Sequence, residues 1–257
     1  MCLMINILKM EFSRFFTNKM MYILIFIYAA FQVFGTFMFT QFEAVTPFNG
    51  RLVEDLDQGQ FMQMVLAQSP SWVMLYIGIF TVSFYMSEYS NGFYKNYIAT
   101  ERARIHSVTS KILVLGLFTL IMFSIMLLAD YISRAIFFGN TNIGDIQSFI
   151  KIVLGQFLLH WAFVVVMLCI TILVRRLIAG IIIAVVLGLN VLGSLVRALE
   201  SLIHDGDFAS YLLVNSIMTI RDFNEPGELI HVLIVAAIYF IVFAIIAIRF
   251  KIKEDLH

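Results

Sequence analysis

Residues 152–196 read IVLGQFLLHWAFVVVMLCITILVRRLIAGIIIAVVLGLNVLGSLV and decide the fold class. The charged residues in this stretch are the adjacent pair Arg175 and Arg176. About 20 apolar residues are enough to cross the hydrocarbon core of a bilayer, so the stretch is too long to cross once. We therefore predict two membrane-spanning helices that meet in a tight hairpin at the two arginines.

Four further apolar stretches of similar character flank this pair. Hydrophobic residues make up 61% of the 257 residues and charged residues 13%, whereas a soluble domain has about 45–50% and 25%. The sequence thus predicts an all-α integral membrane protein with a single domain over residues 1–257. The six predicted spans are 20–40, 71–87, 112–129, 152–174, 177–196 and 229–248.

The segments that connect the spans alternate in charge. Those on one side hold 12 of the 17 Lys and Arg residues but 5 of the 17 Asp and Glu residues, and those on the other side hold 5 and 12. Segments rich in Lys and Arg stay in the cytoplasm. The pattern predicts a multi-pass protein of the plasma membrane with both termini in the cytoplasm.

The N-terminal residues 1–19 predict a helix that lies in the membrane interface. At 100° per residue, apolar side chains that include Leu8, Phe12 and Phe15 fall in one sector. Such a helix either anchors the first span or docks a cytoplasmic partner, and the helix alone does not distinguish the two.

The segment from Ser87 to His106 is too polar for the membrane core and too aromatic for a simple linker. Tyr89, Phe93 and Tyr97 recur every four residues and predict a short helix with one aromatic face. Thr100 is positioned to cap a following turn. The segment either contacts another protein or anchors its tyrosines at the interface.

Two of these motifs resemble those of type-2 ABC transporter permeases. Leu8-Lys9-Met10-Glu11-Phe12 resembles the interfacial opening helix of that family, and the series from Glu88 through Gly92 to Lys111 resembles its coupling segment. The resemblance implies a bacterial six-span subunit that works with a separate ATPase and with a second copy of itself or a related permease. It also implies a cytoplasmic coupling helix between spans two and three, and a set of residues that contact the ATPase: Glu88, Gly92, Phe93, Tyr94, Tyr97, Arg102 and Arg104.

The ATPase motor is not encoded in this sequence. The phosphate-binding pattern G-x-x-x-x-G-K-[ST] is missing, and so are the hydrolase patterns HExxH and GxSxG. We therefore expect no enzyme activity and no bound cofactor in this chain. ATP and Mg²⁺ are expected on the partner, with two ATPase copies in the complex, and no nucleic-acid partner is expected.

Span five carries small residues at a spacing of four: Gly180, Ala184 and Gly188. This face lets another helix approach closely. Together with Gln32 and Asn190, it is a candidate for a dimer seam or a substrate path; the alternative is packing within the same bundle.

Polar residues inside the predicted spans are few, namely Gln32, His160 and Asn190. Asp130 is placed at the outer end of span three, where its spacing from Arg134 predicts a local ion pair. With no charged side chain expected near mid-membrane, a carrier driven by protons or sodium is disfavoured. His160 is interpreted as a helix-packing residue rather than a proton relay.

An uncharged path rich in Phe and Met suits a hydrophobic or amphipathic cargo. The resemblance implies cargoes of this kind, since small permeases of that family export antimicrobial peptides, lantibiotics, cytolytic peptides, drugs or lipids. The preferred hypothesis is export of a membrane-active peptide, such as a toxin or antimicrobial peptide, for self-protection (lantibiotic immunity). The alternative is a non-transporting scaffold or immunity protein that binds a peptide or recruits partners.

Overall fold

The computed structural model describes residues 2–41, 50–93, 100–203 and 208–253. Across these residues the chain forms ten α-helices and two short 3-10 turns, Val53–Asp55 and Phe208–Tyr211. The helices are α1 (Cys2–Phe16), α2 (Lys19–Gln41), α3 (Gln58–Ala67), α4 (Trp72–Ser90), α5 (Glu101–Phe137), α6 (Ile146–Val174), α7 (Leu177–Gly188), α8 (Val191–Ile203), α9 (Leu213–Met218) and α10 (Pro226–Ile252).

The hairpin predicted at the two arginines is confirmed. Helix α6 ends because Arg175 adopts a left-handed backbone conformation with φ of +52°, and the extended residue Arg176 then starts α7. The reversal needs only these two residues.

Four helices are each long and apolar enough to cross a membrane: α2, α5, α6 and α10. Two further pairs meet that criterion when each pair is counted as one bent span. Helices α3 and α4 are bent by 64°, and α7 and α8 by 44°. The protein is thus a multi-pass membrane protein with four to six spans.

The fifth predicted span, 177–196, is broken rather than continuous. Helix α7 ends at Gly188, and Asn190 takes a left-handed conformation with φ of +53° before α8 begins. The Asn190 amide donates to Asn215 Oδ1 at 2.9 Å, and both side chains are buried. Asparagine tolerates this conformation better than most residues and supplies the polar contact that fixes the bend.

Helix α5 extends well beyond the predicted span 112–129. It has 37 residues, about 55 Å at 1.5 Å per residue, against about 30 Å for the hydrocarbon core. The cap predicted at Thr100 is confirmed, because its hydroxyl accepts from the Ala103 amide at 3.3 Å. The last part of the predicted coupling segment is therefore the first turn of this helix.

The core of the bundle surrounds α6, which packs along α10 and contacts α4, α5 and α7. Near one end, α1 lies against α5 and adds Phe15 to an aromatic group of α4 and α5. The rings of Phe80 and Phe118 stack there with centroids 3.9 Å apart. This packing places α1 beside the end of α4 and the start of α5.

The two ends of the bundle differ in composition, as the charge pattern predicts. We call the end that contains α1, the start of α5 and the last turns of α4 and α10 the basic end. At this end Arg104 of α5 donates to the Ile252 carbonyl of α10 at 2.7 Å, so the start of α5 and the end of α10 lie on the same side. The opposite end, which contains the start of α6 and of α10, is called the acidic end.

Candidate functional site: a buried charge cluster at the basic end

The face of α1 that meets the bundle differs from the predicted one. Ile7, Glu11 and Phe15 are buried at a spacing of four, whereas Leu8 and Phe12 are half-buried. Other apolar residues of the predicted sector point away from the bundle, since Ile5 is 43% and Phe16 51% exposed. The helix therefore has a protein-facing stripe with a carboxylate at its centre and an adjoining apolar stripe.

Four charged side chains from three helices meet against this stripe. Arg14 of α1 lies 2.8 Å from Glu11 and 3.0 Å from Glu88 of α4. Lys111 of α5 lies 2.7 Å from Glu11 and 2.5 Å from Glu88. We call these four residues the basic-end cluster.

The cluster is electrically balanced and almost fully removed from solvent. Glu11, Glu88 and Lys111 are buried, and the Arg14 side chain is 12% exposed. Further bonds satisfy the two cations: Lys111 donates to Ser107 at 2.8 Å, and Arg14 to the Phe84 carbonyl at 3.1 Å. A buried charge is tolerated only when it is paired in this way, so loss of any one member leaves another uncompensated.

Burial changes the role expected for Glu88. As a buried residue it is not positioned to touch an ATPase; instead it fixes the end of α4 to α1 and α5. The prediction of direct contact is corrected for this residue. Its sequence neighbourhood, beside polar and aromatic residues, gave no sign that its partners lie on other helices.

Helix α4 continues for only two residues beyond Glu88. Helix α4 ends at Ser90, and Gly92 adopts φ of +69°, a conformation that glycine takes at helix C-termini without steric cost. Tyr89 and Phe93 therefore do not share a helical face, and the described residues between α4 and α5 contain no separate coupling helix. Tyr94 and Tyr97 lie outside the described residues.

Phe93 and Arg102 are the described members of the predicted contact set that remain accessible. Phe93 is 40% exposed, and its ring lies 5.6 Å from the Arg14 guanidinium carbon. Arg102 is exposed on the first turn of α5. Arg104 is half-buried and donates to the Ile252 carbonyl at the end of α10.

Helix α10 joins the same region through Lys251. This buried ammonium lies 5.6 Å and 5.1 Å from the ring centroids of Tyr85 and Tyr89 and contacts the Tyr85 hydroxyl at 3.4 Å. The cluster and its surroundings thus connect α1, α4, α5 and α10 where the predicted coupling segment begins and ends.

The sequence matches the family model described as ABC-2 family transporter protein over residues 7–191. The match includes α1 from Ile7 onward, the whole basic-end cluster and the hairpin at Arg175. The chain belongs to this family. It is a permease-type membrane protein of ABC transporters, whose systems include an ATPase partner. No curated protein matches the sequence.

The small-residue face of this ABC-2 family protein is occupied within the chain. A Cβ atom on Gly180 would lie 2.7 Å from Val82 Cγ1, and one on Gly188 would lie 2.6 Å from Leu75 Cδ2. Ala184 packs against Gly78 of the same helix, α4. This face was expected to form a dimer seam or a substrate path, and instead it packs against α4 of the same chain. The Asn190 side chain is likewise hydrogen-bonded within the chain, to Asn215.

Gln32 is placed at a site that the sequence did not predict. Its amide donates to Asp130 Oδ1 at 2.7 Å, and both side chains are buried. Because Gln32 lies near the middle of α2, Asp130 lies inside the bundle rather than at its rim. The expectation that no charged side chain lies near mid-membrane stays a prediction, because burial inside the bundle does not give depth in a membrane.

The local ion pair predicted between Asp130 and Arg134 is also wrong. Arg134 turns toward the acidic end, where it donates to Gln58 Oε1 at 2.6 Å and to the Leu56 carbonyl. Asp130 turns to α2 instead. Two oppositely charged residues one helical turn apart can form an ion pair. They do not do so here, because each side chain binds a partner on another segment.

Residues that could hold a metal ion are not grouped in the described part of the chain, where no set of three or more His, Cys, Asp or Glu side chains converges.

Proposed function

We propose that this ABC-2 family protein is the permease subunit of an ATP-driven exporter, and that its basic-end cluster transmits movement from a separate ATPase subunit to the membrane helices. The proposal rests on one observation. The basic-end cluster joins α1, α4 and α5 at the base of the segment between α4 and α5. A force applied to that segment acts directly on all three.

The surface that meets the ATPase is proposed to include Phe93 and Arg102. Both are exposed beside the cluster, and Arg14 contacts the Phe93 ring from within. An exposed aromatic with a neighbouring cation is a common anchor at protein interfaces. Tyr94 and Tyr97 belong to the same proposed surface by their position in the sequence.

Helix α5 is suited to carry the movement across the membrane. It starts at the proposed contact surface and continues without a break for 37 residues to the acidic end. Hydrogen bonds within a helix make it a stiff element, so displacement of its first turn moves its far end as well. Proton uptake is not needed for this mechanism.

The proposed arrangement places the basic end in the cytoplasm of a bacterial cell, because Lys and Arg are retained on that side. Helix α1 then lies in the inner interface with its apolar outer stripe toward lipid. ATP and Mg²⁺ bind to two ATPase copies, and a second permease copy or a related permease completes the path.

The proposed cargo is hydrophobic or amphipathic, with a membrane-active peptide as the leading candidate and export for self-protection as its purpose. The outward faces of α2 and α10 are apolar, since Phe26 is 75% and Ile238 54% exposed. These faces allow contact with molecules dissolved in the bilayer.

The test is purification of the tagged chain from its native host, with identification of what it retains. A stoichiometric ATPase subunit is expected. The double variant Phe93→Ala/Arg102→Ala should lose most of that subunit and most cargo-stimulated ATP hydrolysis, while Arg249→Ala, which removes an exposed cation elsewhere at the basic end, should keep both. Retention by the double variant would contradict the proposed surface, and absence of any ATPase would favour the scaffold or immunity role.

A further inference from the structure

We infer that a pocket between α2, α3 and α4 binds a lipophilic cation, which is attracted by the carboxylate of Asp130 behind the pocket wall. This inference rests on the proposed function and specifies it, because it assigns a substrate class to a transport protein. The physical basis is a partly aromatic cavity placed one hydrogen bond from an incompletely paired buried carboxylate.

The pocket has a volume of about 260 Å³, and four of its ten lining residues are aromatic. The rings of Phe31 and Trp72 lie 4.3 Å apart, and Phe34 and Phe39 complete that side. Aromatic faces attract cations, most strongly where water is excluded. The wall therefore favours an apolar molecule that carries a positive charge.

Gln32 connects the pocket to the carboxylate. It lines the pocket and also donates to Asp130 Oδ1 at 2.7 Å. Asp130 is fully buried, and its Oδ2 has no hydrogen-bond partner among the described residues. A buried carboxylate with one neutral donor is far from satisfied, so a cation near Gln32 would gain from its charge.

The neighbouring polar side chains do not supply the missing partner of the Asp130 carboxylate. Arg134, one turn along α5, is engaged by Gln58 and the Leu56 carbonyl and forms no ion pair with Asp130. Ser133 donates to Thr36 at 3.0 Å, and the buried Tyr28 hydroxyl has no hydrogen-bond partner in the described structure. Arg134 balances the charge of Asp130 at a distance but leaves the direct contact open.

The pocket is reached from the side of the bundle. Phe34 lines it and is 56% exposed, so the cavity extends to the surface of α2. Gly35 keeps it open, because no other atom lies within 4 Å of where a Cβ would stand. A ligand dissolved in the membrane therefore has a lateral entrance.

The experiment uses the ion pair tetraphenylphosphonium and tetraphenylborate, which share shape but differ in the sign of charge. The chain has two tryptophans, Trp72 in the pocket and Trp161 elsewhere. In full-length protein in nanodiscs with Trp161→Phe, the emission of Trp72 reports binding. Empty nanodiscs correct for partition of each ion into lipid.

We expect saturable binding of tetraphenylphosphonium and none of tetraphenylborate. The Kd should rise at least tenfold in Asp130→Asn, which keeps the shape and removes the charge. Gly35→Leu should also raise it at least tenfold by filling the pocket. Glu225→Gln, which removes an exposed acid at the acidic end, should leave the Kd within twofold.

Three results would overturn the inference: no binding of the cation by the parent, equal binding of the anion, or unchanged affinity in Asp130→Asn. If Asp130→Asn fails to elute as a folded species, Gly35→Leu and the two ions still decide. The assay needs no ATPase, so cation binding without any ATPase partner would refute the proposed function and keep the site. Co-purification of an ATPase without cation binding would support the proposed function and refute the cation site.

Discussion

The basic-end cluster and the contact between α2 and α5 at Gln32 and Asp130, which we call the seam, differ in how their buried charges are paired. In the cluster, two carboxylates and two cations from three helices pair within 3.0 Å. In the seam, Asp130 has one neutral donor and an unpaired oxygen. Glu88 Oε1 also lacks a hydrogen-bond partner among the described residues, but the Glu88 carboxylate lies against two cations. Pairing with opposite charges fixes helices to one another, whereas a carboxylate without a cation in contact leaves an interaction for something else to make. We therefore assign the first region to force transmission and the second to ligand recognition.

The largest expected effect comes from breaking the balance of the cluster. Lys111→Met leaves Glu11 and Glu88 with one shared cation, Arg14. Removing one partner of a buried ion pair costs about 3–5 kcal/mol. The free energy of unfolding, measured in detergent with a denaturant series, should fall by that amount.

The double variant Lys111→Met/Glu88→Gln serves as its control, because it removes one charge of each sign. It should recover part of the loss, and the difference defines the coupling between the two residues. A double variant that is no more stable than the single one would show that the cluster does not depend on charge balance.

A smaller change in stability is expected from alanine substitutions at two glycines, one packed tightly between α7 and α4 and one beside the open pocket. Gly180→Ala places a methyl group 2.7 Å from Val82 Cγ1 between α7 and α4, and overpacking of this kind costs about 1–3 kcal/mol. Gly35→Ala meets no atom within 4 Å and should be neutral or stabilising by up to about 1 kcal/mol, since alanine favours the helix. Thermal melts of the two purified variants make the comparison.

If Gly180→Ala instead kept its stability and changed the oligomeric state, the original expectation of a dimer seam on this face would return. Light scattering on the same samples distinguishes the two results.

The smallest expected effect concerns the unpaired hydroxyl of the seam. Tyr28→Phe removes a buried group that has no hydrogen-bond partner among the described residues, so it deletes a desolvated polar atom without breaking a bond. Stability should stay within about 0.5 kcal/mol of the parent or rise. A loss above about 1 kcal/mol would reveal a partner for this hydroxyl and a more fully satisfied seam.

Much of the fold follows from local features of the sequence. The two arginines predicted the hairpin between α6 and α7, Thr100 predicted the start of α5, and the alternating charges predicted the two ends of the bundle. Each depends on residues close together in the chain, or on hydropathy summed over one segment.

The candidate site was predicted only in part, because its contacts join distant segments. Glu88 was expected at a surface, yet it is bound by residues 74 and 23 positions away in the chain, Arg14 and Lys111. Asp130 was expected to pair with Arg134 and instead contacts Gln32. In both cases the sequence shows a charged residue beside a long apolar stretch. That pattern does not predict which distant residue the charged side chain will contact.

The sequence by itself determined that this chain is helical, that it crosses a membrane several times, and which end carries positive charge. In lipid every backbone polar group must be satisfied within its own helix, so these properties follow from segments considered one at a time. Tertiary structure alone decided that the Gly180 face packs on α4, that four charges close into one cluster, and that Asp130 stays partly unpaired. Those outcomes depend on how each helix is rotated about its axis, and that rotation is set by packing among all of its neighbours.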